Sequence, residues 1–174
     1  MRLLLLPLLL SLYACTSAVP ELVRTAPEGN PSLPIVLTEP GRFLNARVRW
    51  GGTIANVQNL PGETRVEIVA RELAGDGEPK ALDRSEGRFI AIFNTFLDPA
   101  IYAPERNLTV VGQLSGTTVK KLGDMDYRYP VVKTSAYYLW PKPVPRYDYY
   151  DPFWNDPWYP YWYPYPWYRH PYYY

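Results

Sequence analysis

Apolar and polar residues alternate with period two along most of the chain between Gly41 and Trp140, the spacing of strands that bury one face and not of helices. From Arg47 to Val57, Val48 and Trp50 fall on one face with Arg47 and Arg49 opposite, and the run meets Gly51-Gly52, whose missing side chains suit a bulge or sharp bend. Pro61-Gly62 is a turn signal. Glu63 to Ala70 alternates again, with Val66, Ile68 and Ala70 inward and Arg65 and Glu67 outward, so the two runs make a hairpin. Gly75-Asp76-Gly77 and the polar residues to Glu86 read as a loop, after which Arg88 to Phe93 is apolar on both faces, as a central strand would be. Leu108 to Leu114 aligns Leu108, Val110 and Leu114, and Pro130 to Trp140 supplies a long last strand.

Between the third and fourth strands, Asp98 can cap a helix start and Pro99 suits the first helical position, while Pro104 leaves room for little more than one turn. Five strands with a short helical connection after the third predict a mainly β domain over residues 41–140, a small OB-like barrel. An open β-sandwich of the same strands is the alternative, because spacing alone does not show whether the first and last strands meet.

Two stretches break the alternation. At the start, Leu3 to Leu10 is short, almost purely leucine and led by Arg2, which reads as an export signal and not a membrane span. Leu12-Tyr13-Ala14-Cys15 resembles a lipobox, the bacterial motif whose cysteine receives a diacylglycerol thioether before cleavage just ahead of it, although Tyr13 is bulkier than the usual residue. Residues 1–14 are then a signal peptide and Cys15 the lipid-bearing first residue. A single cysteine in an exported chain has no internal disulfide to make, and lipidation supplies its reason. Three acyl chains are expected on the processed cysteine, and at about 0.8 kcal/mol per buried methylene even two hold firmly. Thr16 stands where lipoproteins kept at the inner membrane often carry Asp, which favours sorting to the outer membrane. From Thr16 onward Pro20, Pro27, Pro31, Pro34 and Pro40 argue for an extended tether over residues 15–40, spanning roughly 25 to 30 Å as a coil. Leu33 to Leu37 lying on the domain as an edge strand is the alternative for part of it.

Charge and composition narrow the partners. Removing residues 1–14 takes away Arg2 alone and leaves equal numbers of basic and acidic residues, interspersed, with no basic footprint for nucleic acid. The aromatics are uneven: 16 of the 28 lie between Arg146 and Tyr174, within a Tyr/Trp/Pro-rich tail over residues 141–174. Proline breaks any sustained register there, so disorder is the structural expectation. Tyr and Trp also favour bilayer interfaces and stack on sugars, which makes Trp154, Trp158, Trp162 and Trp167 the candidate contacts to membrane, peptidoglycan or envelope protein.

Catalytic machinery should show as a nucleophile with a base, paired carboxylates or metal ligands at workable spacing. The one histidine, His170, sits in the tail and the one cysteine is committed to lipid, so no His/Cys metal site, cofactor or Cys/His catalysis is expected. Asp98 reads as a cap, Asp124 and Asp126 as members of a solvated turn, and Asn107-Leu108-Thr109 as a chance glycosylation match within a strand. Trp50, Phe89, Phe93 and Trp140 can in principle stack on bases or sugars, but core packing is the expectation at inward positions.

The stretches VRWGGTI (Val48 to Ile54), GRFIAIF (Gly87 to Phe93), FLDPAIYAP (Phe96 to Pro104), LTVVGQLSG (Leu108 to Gly116), YRYPVV (Tyr127 to Val132) and YYLW (Tyr137 to Trp140), in this order and spacing, resemble the Slp family of starvation-inducible outer-membrane lipoproteins. With the lipobox they cover most of residues 15–140, and residues after Trp140 lie outside them. The resemblance implies a lipid-anchored protein of the bacterial outer membrane linked to stationary-phase or stress physiology, and brings no catalytic mechanism. The expected function is non-enzymatic, in envelope maintenance or starvation and stress adaptation. The alternative is a periplasmic binding module for glycan or a small hydrophobic ligand, marked by a concave polar groove across the barrel.

Overall fold

Alternation across Arg47–Leu60 becomes β1, and the Pro61-Gly62 dipeptide returns it into β2, Glu63–Arg71, with Leu60 opposite Glu63. Proline fixes the first corner of that turn and Gly62, at φ +85°, occupies the corner only glycine adopts without strain. The computed structural model describes residues 18–142. Three further strands follow, β3 (Gly87–Phe93), β4 (Asn107–Leu122) and β5 (Met125–Leu139), and the sheet closes on itself in the order β1-β2-β3-β5-β4. All neighbours are antiparallel except β3 and β5, which run parallel over Ile90–Ile92 and Val131–Lys133. The five-stranded OB-like ring is therefore present and the open sandwich is not.

The inward residues of the alternation fill the ring: Val48, Trp50, Ile54, Val66, Ile68, Ala70, Phe89, Ala91, Phe93, Leu108, Val110, Leu114 and Val132 are all buried. Trp50 meets Phe89 edge to face at 5.4 Å and Phe93 meets Tyr137 at 5.0 Å, the geometry that ring quadrupoles prefer. Gly51 and Gly52 serve close approach and not a bulge. A Cβ on Gly52 would stand 1.9 Å from the Val69 carbonyl oxygen and one on Gly51 2.6 Å from Thr109 Oγ1. The register shift in β1 comes later, between Ile54 and Asn56.

Residues 20–40 are not the extended tether that their prolines suggest. They form α1 (Glu21–Arg24) and α2 (Leu33–Thr38), followed by a 3-10 turn at Pro40–Phe43. Nor does Leu33 to Leu37 add an edge strand. Val23, Leu33 and Val36 are buried, and Pro34 sits in the first turn of α2, where its missing amide costs nothing. Leu33 and Val36 in the barrel core, with Val23 buried beside it, outweigh the extended bias of scattered prolines. The packed part of the chain accordingly begins near Pro20, ahead of Gly41.

The two ends of the barrel are closed differently. Leu33 and Leu37 lie against Gly87, at the start of β3, whereas Leu97 lies at the other end of the β2–β3 pair, its amide donating to Thr64 Oγ1. The expected helix at Asp98 is a single turn. Asp98 Oδ1 accepts from the Ala100 amide as a cap does, and its carbonyl accepts from Ile101 and Tyr102, but the chain then turns back at Glu105, φ +70°, to pair its amide with the Ile54 carbonyl. The strands β4 and β5 run beyond the barrel as a two-stranded arm. Asp126 lies within β5 and Asp124 in the turn after Gly123, so the solvated loop expected there is confined to two residues.

Candidate functional site

The large aromatics of the barrel interior are structural. Trp50, Phe89, Phe93 and Trp140 are all buried. Trp50 Nε1 donates to the Pro31 carbonyl at 2.9 Å, and Trp140 Nε1 donates to Thr109 Oγ1 at 2.9 Å, so both indole donors are engaged by protein. They pin surrounding chain to the barrel instead of offering a stacking platform.

One polar concavity lies outside the ring, beneath the β4–β5 arm. There a cavity of about 180 Å³ is lined by Asn56 and Gln58 of β1, Arg65 and Glu67 of β2, Ile90 of β3, and Thr118, Val119 and Lys120 of β4. The register explains the grouping: Asn56 stands opposite Glu67, Gln58 opposite Arg65, and Glu67 opposite Ile90, so one outward row crosses three strands. Sequence spacing correctly puts Arg65 and Glu67 on the outer face, but the arm that roofs them is not visible in it.

Glu67 is the centre of this cluster, with its side chain only 10 % exposed. Arg88 Nη1 donates to Oε1 at 2.7 Å, the Tyr129 hydroxyl donates to the same oxygen at 3.0 Å, and Lys120 Nζ stands 3.5 Å from Oε2. Burial, reinforced by the hydrogen bond to Glu67 and its negative charge, pushes the Tyr129 phenol up to about 12. Tyr129 therefore stays protonated at neutral pH and holds its bond. The carboxylate is neutralised by two cations and oriented by a phenol, an arrangement that ties β2, β3, β4 and β5 together. Asn56 and Gln58 leave amide donors and acceptors toward the cleft, chemistry suited to neutral polar groups, although the space is smaller than the roughly 300 to 1,000 Å³ of most small-molecule sites. Neither Glu67 nor Tyr129 stands out as a site residue in the sequence. The signal is weak: Tyr127 and Tyr129 share one face of YRYPVV, and nothing local ties that face to β2.

A second, open groove of about 640 Å³ follows α1, lined by Leu22, Ala26, Pro27 and Val111 with Glu21, Glu28 and Arg47 at its rim. Among the described residues, no three His, Cys, Asp or Glu side chains are grouped to hold a metal, and no helix is long and apolar enough to cross a membrane. Cys15, Trp154, Trp158, Trp162, Trp167 and His170 lie outside the described residues.

Comparison with known proteins identifies the lineage. Residues 12–169 match the Outer membrane lipoprotein Slp family, a span that begins at the first lipobox residue and runs past Trp140 into the aromatic tail, further than the stretches that carry the resemblance in sequence. The chain is similar to the uncharacterized lipoprotein YeaY of Escherichia coli, 30 % identical over 75 % of this chain and 67 % of that protein. It is similar to an uncharacterized protein of Haemophilus influenzae, 37 % identical over 63 % of this chain and 59 % of that one. With the outer membrane protein Slp of E. coli it shares 28 % identity over 74 % of this chain and 69 % of the relative. The chain thus spans about two thirds of the length of the curated relatives it matches. No solved structure gives a significant match. A family match over residues 12–169, nearly the whole chain, places it in the Slp family of outer-membrane lipoproteins.

Proposed function

We propose that the protein is held in the outer membrane through acyl chains on Cys15 and acts without catalysis, its barrel and aromatic tail serving envelope maintenance or stress adaptation. The observation that supports this reading is that the family match begins at Leu12 and takes in Cys15, the stretch that resembles a lipobox. The barrel supports it: its aromatics are spent on packing, and Glu67 of its outer cleft is spent on Arg88 and Lys120. Trp154, Trp158, Trp162 and Trp167 of the tail add an adhesive segment for lipid headgroups, peptidoglycan or envelope protein. Labelling cells with a palmitate analogue, parent against Cys15→Ser, with membrane fractionation, tests the anchor: label and outer-membrane recovery should both be lost, and unchanged values would remove it. Pull-down of the soluble protein on liposomes and on peptidoglycan, with and without residues 146–174, tests the tail, and equal retention would remove its adhesive role.

The cleft beneath the arm favours a second reading, a periplasmic module that takes a small polar ligand such as a glycan fragment through Asn56 and Gln58. Amide chemical shifts of Asn56, Gln58 and Thr118 on titration with muropeptides decide it, since a binding module moves them together and a purely structural barrel does not.

A further inference from the structure

The orientation of the barrel rests on the proposed acylation at Cys15, which fixes one end of the chain in a leaflet, and the structure fixes the other end of a very short leash. The Pro20 carbonyl accepts from the amides of Val23 and Arg24, which starts α1 at once. Val23 is fully buried. Arg49 Nη1 donates to the Val23 carbonyl at 3.0 Å and also to the Arg24 carbonyl. Behind them Asn30 Oδ1 accepts from the Arg49 amide at 2.8 Å and Trp50 Nε1 holds Pro31. The segment from Pro20 to Pro31 is thus bound to β1 and does not swing free.

No more than the residues from Cys15 to Pro20 separate the acylated cysteine from this bound segment. Even fully extended, at about 3.3 to 3.6 Å per residue, they reach no further than roughly 17 Å. The expected tether of residues 15–40 would have let the domain stand clear of the bilayer, whereas this leash holds α1 at the headgroups. The surface brought there is the outer side of α1, with Leu22 54 % exposed beside the groove lined by Ala26, Pro27 and Val111.

At the other end of the barrel chain, Trp140 also comes close to α1. The Val23 carbonyl lies against Gly77, where a Cβ would come within 2.6 Å of it. Gly77 in turn accepts at its carbonyl from Thr109 Oγ1 at 2.6 Å, and that hydroxyl accepts from Trp140 Nε1 at 2.9 Å. Trp140 stands at the threshold of the tail with its 16 aromatic residues. Acyl chains and interfacial rings are two signals that together give stable membrane attachment.

We infer that the barrel lies with its α1 face on the leaflet that holds its own acyl chains, Leu22 at the headgroup level, and that the tip of the β4–β5 arm, where Leu122 pairs with Met125 at the far end of β4 from Thr109, stands away from it. The test uses the full-length lipidated protein in phosphatidylethanolamine/phosphatidylglycerol vesicles, with a bimane label on Leu22→Cys or, separately, on Met125→Cys at the exposed tip of the arm. Cys15 does not compete for label once its sulfur is a thioether, and mass spectrometry of each sample establishes that acylation first. Quenching by brominated lipid should be at least threefold stronger at position 22 than at position 125. Equal quenching, or stronger quenching at 125, in protein whose Cys15 is acylated overturns the orientation. A free thiol at Cys15 instead overturns the anchor on which it rests, so the two failures are distinguishable.

Discussion

Leu33→Ala separates a packed amino-terminal segment from a loose one. Leu33 is fully buried in α2, and its Cδ2 would lie 2.9 Å from a Cβ placed on Gly87. Removing three buried carbons forfeits about 2.4 kcal/mol at ~0.8 kcal/mol per methylene. A cavity adds to this where neighbours cannot collapse, and Leu→Ala changes in well-packed cores cost about 2.7 to 5 kcal/mol. Collapse here is limited on two sides. The Gly87 backbone belongs to the closed sheet, and Trp50 is tied to Pro31 by its indole hydrogen. The expected loss is therefore about 3 kcal/mol, a large share of the roughly 5 to 15 kcal/mol that stabilises a domain. Urea unfolding of the soluble Cys15→Ser form, followed by tryptophan fluorescence, measures it. With a slope of about 2 kcal/mol per molar urea, the midpoint should fall by about 1.5 M. Ile35→Ala, on the exposed side of the same helix, should change stability by less than about 0.5 kcal/mol. A Leu33→Ala midpoint within about 0.3 M of the parent would refute the packed segment, because an extended tether has nothing to lose there.

Other perturbations probe other joints. Gly52→Ala sets a Cβ 1.9 Å from the Val69 carbonyl oxygen, backbone against backbone, and should abolish recovery of folded protein, whereas Gly41→Ala, with nothing within 4 Å, should be silent by circular dichroism. Asn30→Ala removes the side-chain partner of the Arg49 amide and should cost about 1 to 3 kcal/mol, with faster hydrogen exchange at that amide as the local readout. Tyr129 is held up to about 12 from an ordinary 10.0, so the unfolded chain loses this proton first. Its contribution is complete below pH 10 and is lost as pH rises toward 12, and the fall in urea midpoint between pH 9 and pH 11 should be smaller in Tyr129→Phe than in the parent. An identical fall in both would sink that assignment.

The strands are legible in the sequence because the closed sheet puts one side of each in the core. Val66, Ile68 and Ala70 have to point one way, and the Pro61-Gly62 turn sets their register with β1. Legibility stops where that asymmetry stops. Thr117 to Lys121 are all exposed, so no alternation distinguishes the outer part of β4 from a loop, and the arm that roofs the Glu67 cluster stays hidden. At the amino end the prolines mask a three-residue apolar plug whose partners lie far along the chain. At Asp98 the cap is readable and its sequel is not, because what ends the turn is capture of the Glu105 amide by β1, a long-range contact. The proposed site residues, Cys15 and the tail tryptophans, rest on motif and composition, which speak to attachment and not to shape.

The parallel seam between Ile90–Ile92 and Val131–Lys133 is the narrowest joint of the ring, and it links strands that are distant in the chain. A secreted polypeptide crosses the inner membrane amino end first, so β1, β2 and β3 arrive as a meander with both borders bare. Neither border is covered until β4 and then β5 have followed, and bare strand borders invite pairing with a neighbouring copy. The last strand is the keystone of assembly. Until it arrives, the sheet stands open to pairing with a second copy.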